Sequence, residues 1–441
     1  MPRPLQLSVL CLLLSFCFSF PATAGAGIAG AVFDAASGLP VAGATVTCGF
    51  VAVLADARGR FEAPAGCGNI AVRAPGYLRK EQDAAFPPEF RLVPFTPRAL
   101  YLSFYGAGSR ILRGQGVKLI EETELNALVI DIKGDRGMIS YRSNIPLATE
   151  VGAQQIITLR DLPGLLQSLK AKKIYTIARI VVFKDDKLSQ SRPDLAVRDA
   201  AGEVWKDQEE MAWVDPFRQE VWEYNLAIAA EAAEYGFDEI QFDYIRFPDR
   251  AGLVFSRENT QENRVRAIND FLATARERLI PYNIYLSADI FGYVCWNEND
   301  TWIGQHLETL APHIDYLAPM LYPSGFQFGV GPYKNPVKNP YEIILLTLDR
   351  ARERTGLPPV RFRPWLQAFR DYAFDRREFG GVEIQAQVQA SRDFGSNGYM
   401  LWNPRNVYTA QGLTPFEAPE ELEQPILKTE KIEGPAERKE S

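Results

Sequence analysis

From Arg98 to Asn403 short apolar runs alternate with longer amphipathic stretches, and the alternation repeats eight times. The runs are Leu100 to Tyr105, Ala127 to Lys133, Ile174 to Phe183, Glu239 to Phe247, Ile284 to Gly292, Tyr316 to Tyr322, Phe362 to Phe369 and Gly398 to Asn403. Strand-like runs separated by helical stretches are the mark of βα units around a parallel sheet, and eight of them predict a closed (β/α)8 TIM barrel over residues 97–415. One helix is expected between Asp215 as cap, Pro216 at the first helical position and Gly236 as stop, with apolar positions at Phe217, Val221, Tyr224 and Ile228. Another runs from about Glu258 to Ile280 and stops at Pro281.

Residues 25–96 show a different pattern. Short β-runs, Ile28 to Phe33, Ala44 to Cys48, Val51 to Leu54, Arg60 to Glu62, Asn69 to Arg73 and Glu89 to Leu92, are separated by turn residues with no helical period, which predicts a small all-β sandwich. The chain begins with Arg3, an apolar run from Leu5 to Phe20 and Ala22-Thr23-Ala24, the order of a signal peptide cleaved after Ala24. The apolar run is too short to span a bilayer, and no later segment has the length or apolarity to do so, so the mature chain is expected to be exported, periplasmic or extracellular, with no membrane span. Residues 416–441 are rich in Glu, Lys and Pro without an apolar period and read as a disordered tail. Cys48 and Cys67 are placed for a disulfide in an exported sandwich, buried free thiols being the alternative, and Cys295 is left odd.

Strand alternation decides which side chains enter the barrel. In the fourth strand Ile240 and Phe242 face the helices, which turns Gln241 and Asp243 inward, Asp243 nearer the C-terminal rim. In the second, Leu128, Ile130 and Ile132 face out and Asp131 and Lys133 face in; in the fifth, Ser287 and Asp289 face in. Three strands thus send carboxylates to the end where barrel enzymes carry their sites. Glycoside hydrolysis needs two carboxyl groups, one to donate a proton and one to act as nucleophile or base. Asp243 and Asp289 are the catalytic candidates, Asp289 as the acid, with Glu298 or Asp300 as its replacement. Asp131 beside Lys133 is expected to stay ionised and hold a sugar hydroxyl. Lys133 and Arg179 count as partners for these carboxylates and as substrate-binding groups, and Arg246 as a substrate clamp or a rim salt bridge. Strand-end aromatics, among them Tyr244, Tyr322, Trp365 and Trp402, suit the C–H faces of a saccharide, and Trp402 is the expected stacking floor.

Composition narrows the alternatives. The 441 residues carry a net charge of −7, which disfavours phosphate backbones, so nucleic acid is not an expected partner. The two histidines, His306 and His313, have neither metal-ligand nor triad spacing, and no GxxxxGK[ST] or GxGxxG opens a helix. No metal site and no cofactor are expected. A polysaccharide or oligosaccharide substrate is, and the rival reading is a non-catalytic carbohydrate-binding or envelope-assembly protein that uses the barrel groove. The oligomeric state is not legible.

Two resemblances emerge from these segments. Gly30 to Val46 carries GxVxDxxxGxPVxGAxV and is followed by DARGRF and APGY, which resembles the carboxypeptidase-regulatory-like domain, a module that implies a rigid spacer or interaction role. ALVIDIKGDRGMISY (Ala127 to Tyr141), IARIVVFKD (Ile177 to Asp185), FDEIQFDYIRFP (Phe237 to Pro248) and GYMLWNP (Gly398 to Pro404) together resemble the bacterial glycoside hydrolase domain family DUF4015. That resemblance implies a barrel related to the α-amylase-like hydrolases, whose nucleophilic Asp ends the fourth strand, the position of Asp243. It also implies an arginine two residues earlier, where Gln241 stands, and a glutamate on the fifth strand, where Asp289 stands.

Overall fold

The computed structural model describes residues 27–416. The signal-peptide reading at residues 1–24 and the tail from residue 417 onward lie outside the described residues.

The first seven strands are β1 (Ile28–Asp34), β2 (Thr45–Cys48), β3 (Val51–Leu54), β4 (Arg60–Ala63), β5 (Asn69–Arg73), β6 (Lys80–Asp83) and β7 (Glu89–Leu92). They form two sheets, β4-β1-β7 and β3-β2-β5-β6. Between the sheets lie Val32, Val46, Phe61, Ile70, Val72, Phe90 and Leu92, supplied by the alternate positions that the pattern marked as apolar. The sequence reading missed β6. Its residues are Lys-Glu-Gln-Asp with no buried position, and it is an edge strand held by backbone pairing to β5. Cys48 and Cys67 are joined in a disulfide, with Cα atoms 5.7 Å apart, and Cys295 is a buried free thiol.

The next eight strands are β8 (Arg98–Leu102), β9 (Ala127–Lys133), β10 (Tyr175–Val181), β11 (Glu239–Asp243), β12 (Tyr285–Phe291), β13 (Tyr316–Met320), β14 (Trp365–Gln367) and β15 (Tyr399–Trp402). All pair in parallel and β15 closes onto β8, giving the expected TIM barrel. Outward residues such as Leu128, Ile130, Ile240 and Phe242 join helix side chains in one large core. A second, aromatic core fills the interior with Tyr101, Tyr175, Tyr285, Tyr316 and Trp365. Among the described residues no helix is long and apolar enough to cross a membrane.

The helix before β11 differs from the sequence reading at its start. It spans Gln219–Tyr235, and Asp215 instead accepts from the backbone of Phe217 at 2.9 Å and of Ser256 at 2.7 Å, pinning one loop to another. Gly236 does end it, at φ 98°, a conformation that favours glycine. The following helix spans Gln261–Arg278.

The sandwich sits against the N-terminal mouth of the barrel. Its Ala74-Pro75-Gly76-Tyr77 turn meets two tyrosines of the barrel interior: Tyr285 Oη donates to the carbonyls of Ala74 and Tyr77 at 2.8 Å, and Tyr316 Oη accepts from Gly76 N at 3.0 Å. Arg79 donates to the carbonyls of Phe237 (2.8 Å) and Tyr282 (3.2 Å), and buried Arg73 lies 3.6 Å from Asp315. The APGY segment is thus the plug of the barrel floor, which leaves the opposite mouth free.

Candidate active site

Asp243 is the last residue of β11, and the strand stops there because Tyr244 takes a positive φ of 51°. A non-glycine residue in that region is strained, and such strain gathers at functional sites. The turn lets Tyr244 N donate to Asp243 Oδ1 at 2.5 Å. The other carboxylate oxygen, Oδ2, accepts from Arg179 Nε at 3.0 Å and from its Nη2.

Arg179 is the hub. On β10 it lies in register with Asp131 of β9 on one side and Gln241 of β11 on the other. Its Nη1 donates to Asp131 Oδ1 at 2.6 Å, and its Nε lies 3.8 Å from Asp289 Oδ2. One planar guanidinium therefore hydrogen-bonds two buried carboxylates in a fixed arrangement and lies close to a third, which a lysine ammonium would not do. The arginine that the amylase comparison sought at position 241 is replaced by one on the neighbouring strand, directly beside Gln241. Those acids keep Arg179 charged, raising it well above the ordinary arginine value even though its burial opposes this.

The three acids are not equivalent. Asp289 Oδ1 accepts from Trp365 Nε1 at 2.7 Å, whereas its buried Oδ2 has no donor among the described residues and faces the Asp243 carboxylate. Burial first, then the Asp243 charge, push Asp289 well above the ordinary carboxylate range, with Arg179 opposing. A neutral Asp289 presents a hydroxyl that can donate to the Asp243 carboxylate. Asp131 accepts from Tyr101 Oη at 2.5 Å, and burial raises it too, partly offset by Arg179 and Tyr101.

Asp131, Arg179 and Asp243 floor a cavity of about 380 Å³ whose wall includes Tyr244, Tyr322, Trp402, Tyr101, Trp365, Asp135 and Arg136. Trp402 stacks on Tyr101, centroids 3.9 Å apart and planes at 14°, and the Arg179 guanidinium lies 5.1 Å from its ring. Tyr322 is held in its phenol form, first by burial and then by the neighbouring acids.

Several expected site residues stand elsewhere. Lys133 does not face the cavity. The β9–β10 register shifts after Arg179, so Lys133 comes beside Ile180, pairs with Asp185 at 2.8 Å, donates to the Val181 carbonyl at 2.6 Å and lies against the outer-helix residue Tyr224. Asp289 is inside the barrel on the strand next to Asp243, but it is fully buried and does not line the cavity. Asp300 is consumed by Arg264 at 2.6 Å and by the amides of Trp302 and Gly304. Glu298 is exposed beside Arg350, 3.5 Å away. Arg246 forms no salt bridge among the described residues and lies over Trp213 and Tyr244, in a second cavity that adjoins the first through Tyr244. Tyr101 was missed, although it stands between outward Leu100 and Leu102, so alternation alone places it inward. Among the described residues no three His, Cys, Asp or Glu side chains gather to hold a metal ion.

A parallel barrel with a carboxylate cluster at its C-terminal mouth defines the class as TIM-barrel enzymes. Residues 99–408 match the family described as "Putative glycosyl hydrolase domain", DUF4015, and the chain belongs to that family. Its class is therefore glycoside hydrolase. No curated protein matches the chain. Among solved structures it is similar to the PgaB (BpsB) glycoside hydrolase domain from Bordetella bronchiseptica, with 15% identity over 71% of this chain and 95% of that one and a TM-score of 0.52. A hypothetical protein from Ruminiclostridium thermocellum is 42% identical over 43% of this chain and 96% of its own, TM-score 0.39. A class V chitinase from Pseudomonas fluorescens Pf-5 is 13% identical over 71% and 97%, TM-score 0.43.

Proposed function

We propose that the exported protein hydrolyses a glycosidic bond in an extracellular or cell-envelope polysaccharide, with Asp243 as nucleophile or base. The observation that carries this reading is the cluster of one buried arginine and three buried carboxylates under an open, aromatic-lined cavity. Asp243 reaches that cavity with its geometry fixed by Arg179 and the Tyr244 amide. Asp289 does not reach it, so its role is to position Asp243. Of the other acids, Asp131 lines the cavity, is raised by burial and is hydrogen-bonded to Tyr101, which makes it the group placed to protonate the leaving oxygen. The surrounding Trp and Tyr faces receive the sugar. The disulfide supports export, because such bonds persist in oxidising compartments.

Wild type and Asp243→Asn are to be incubated with bacterial exopolysaccharides and α- and β-glucans while reducing ends are counted. Wild type should release ends and the variant should lose at least about 10³-fold in rate. Glycan binding by both proteins with no release from either would leave a binding protein and remove the enzyme. Asp131→Asn should lose more on a polysaccharide than on an aryl glycoside, whose leaving group needs little protonation. An equal loss on the two substrates would take the acid role from Asp131.

A further inference from the structure

Beside the catalytic cavity lies a second one of about 630 Å³, and Tyr244 lines both. Its inner wall is Trp213 and Tyr244, centroids 5.5 Å apart at 60°, with Trp205 next to Trp213. Across both rings lies Arg246, its guanidinium carbon 4.9 Å from the Trp213 centroid and 5.0 Å from that of Tyr244.

The charges around this cavity do not cancel evenly. Lys184 is buried and already engaged by Asp207 at 3.0 Å and Glu209 at 2.5 Å. Asp207 is further occupied by Trp213 Nε1 at 3.0 Å and by the backbone amides of Glu209 and Met211. Arg246 makes one hydrogen bond to protein, to the Phe247 carbonyl at 3.2 Å, and no ion pair among the described residues. Asp249 and Arg250 are both exposed at the rim and offset each other. A half-buried guanidinium, stiffened by stacking on two aromatic rings and lacking an acidic partner, presents free N–H donors in a planar fork that matches a carboxylate.

We propose that this cavity is a subsite for an acidic sugar, a uronate residue of the glycan next to the bond that Asp243 attacks, with Arg246 as the residue that selects it. The proposal rests on the glycosidase reading for the position of the cleaved bond, while recognition of the acid depends on Arg246, stacked on the inner wall, with the exposed Lys206 as a second cation at the same cavity.

The test uses the whole protein. Polygalacturonate, alginate and hyaluronate are compared with amylose and laminarin for reducing-end release by wild type and by Arg246→Gln and Arg246→Lys. In parallel, binding of the same polymers to Asp243→Asn and to the Asp243→Asn/Arg246→Gln double variant is measured at low and high salt, with dextran sulfate as a polyanion without carboxylates. Wild type should favour at least one uronan. Arg246→Gln should raise KM for it at least tenfold more than for a neutral glucan, and Arg246→Lys should recover only part of this. If wild type cleaves nothing yet Asp243→Asn binds a uronan and the double variant does not, the subsite stands and the hydrolase reading falls. Equal losses on neutral and acidic polymers, or dextran sulfate binding as tightly as every uronan, would overturn the subsite.

Discussion

The two ends of the barrel each carry a buried arginine among carboxylates, and they differ in stoichiometry and access. At the closed end Arg363 Nη1 donates to both oxygens of Glu239, at 2.8 and 2.7 Å, its other nitrogens bond Asn397, Tyr175 Oη adds a donor to Glu239 at 3.0 Å, and Tyr316 lies under the guanidinium. One cation meets one anion, and the sandwich covers them. At the open end one cation, Arg179, serves three carboxylates under a cavity. A matched buried pair is a satisfied structural unit, whereas a cluster with surplus acid must keep a proton and so holds reactivity ready. Burial of charge by itself therefore does not mark the site; the imbalance of charge does.

The largest effect expected from breaking this contrast is at the closed end. Arg363→Met leaves Glu239 buried without its cation and should cost about 3–5 kcal/mol of stability, read by urea unfolding. An unchanged midpoint would mean that the closed end is not a stabilising unit. Next comes the sandwich that covers it. The disulfide links residues 19 apart, and replacing both Cys48 and Cys67 by Ser should cost the sandwich about 3 kcal/mol. A loss of that size in the barrel transition instead would show that sandwich and barrel unfold as one.

The smallest effect concerns the proton at the open end. Asp289 is raised from 3.8, so the native state keeps a proton that the unfolded chain releases. Stability is then full below pH 3.8 and falls as pH rises through the window between that value and the raised folded one, by at most about 1.4 kcal/mol per pH unit. Asp289→Asn, which stays neutral, should make this slope shallower when unfolding free energy is followed from pH 4 upward, leaving the part due to Asp131, which burial also raises. A slope identical to wild type would show that Asp289 is ionised in the native protein.

The eight barrel strands were legible because outward Ile, Leu and Phe alternate with inward residues over buried strands, and the same alternation turned Asp131, Asp243 and Asp289 inward. It failed at Lys133, where an irregular register after Arg179 inverts the facing, since period-2 reasoning assumes an unbroken ladder. It also could not rank access: Asp243 and Asp289 both point inward, and the pairing of Gln241 with Ser287 and of Phe242 with Ala288 gives them corresponding positions on adjacent strands, yet only Asp243 lines the cavity. β6 escaped notice because an edge strand of charged residues carries no apolar signal. The meeting of Arg179 with three acids is a relation among four strands, which no local window contains.

The most direct test sets the two ends against each other on one glycan that wild type cleaves. Turnover per folded molecule is measured for Asp243→Asn and Arg363→Met, with the folded fraction of each fixed by unfolding curves. Asp243→Asn should be folded and slower by at least about 10³-fold, while Arg363→Met should be less stable yet turn over within several-fold of wild type. Retained turnover in Asp243→Asn, or a loss in Arg363→Met that the unfolded fraction does not explain, would contradict the assignment of chemistry to the charge-imbalanced end.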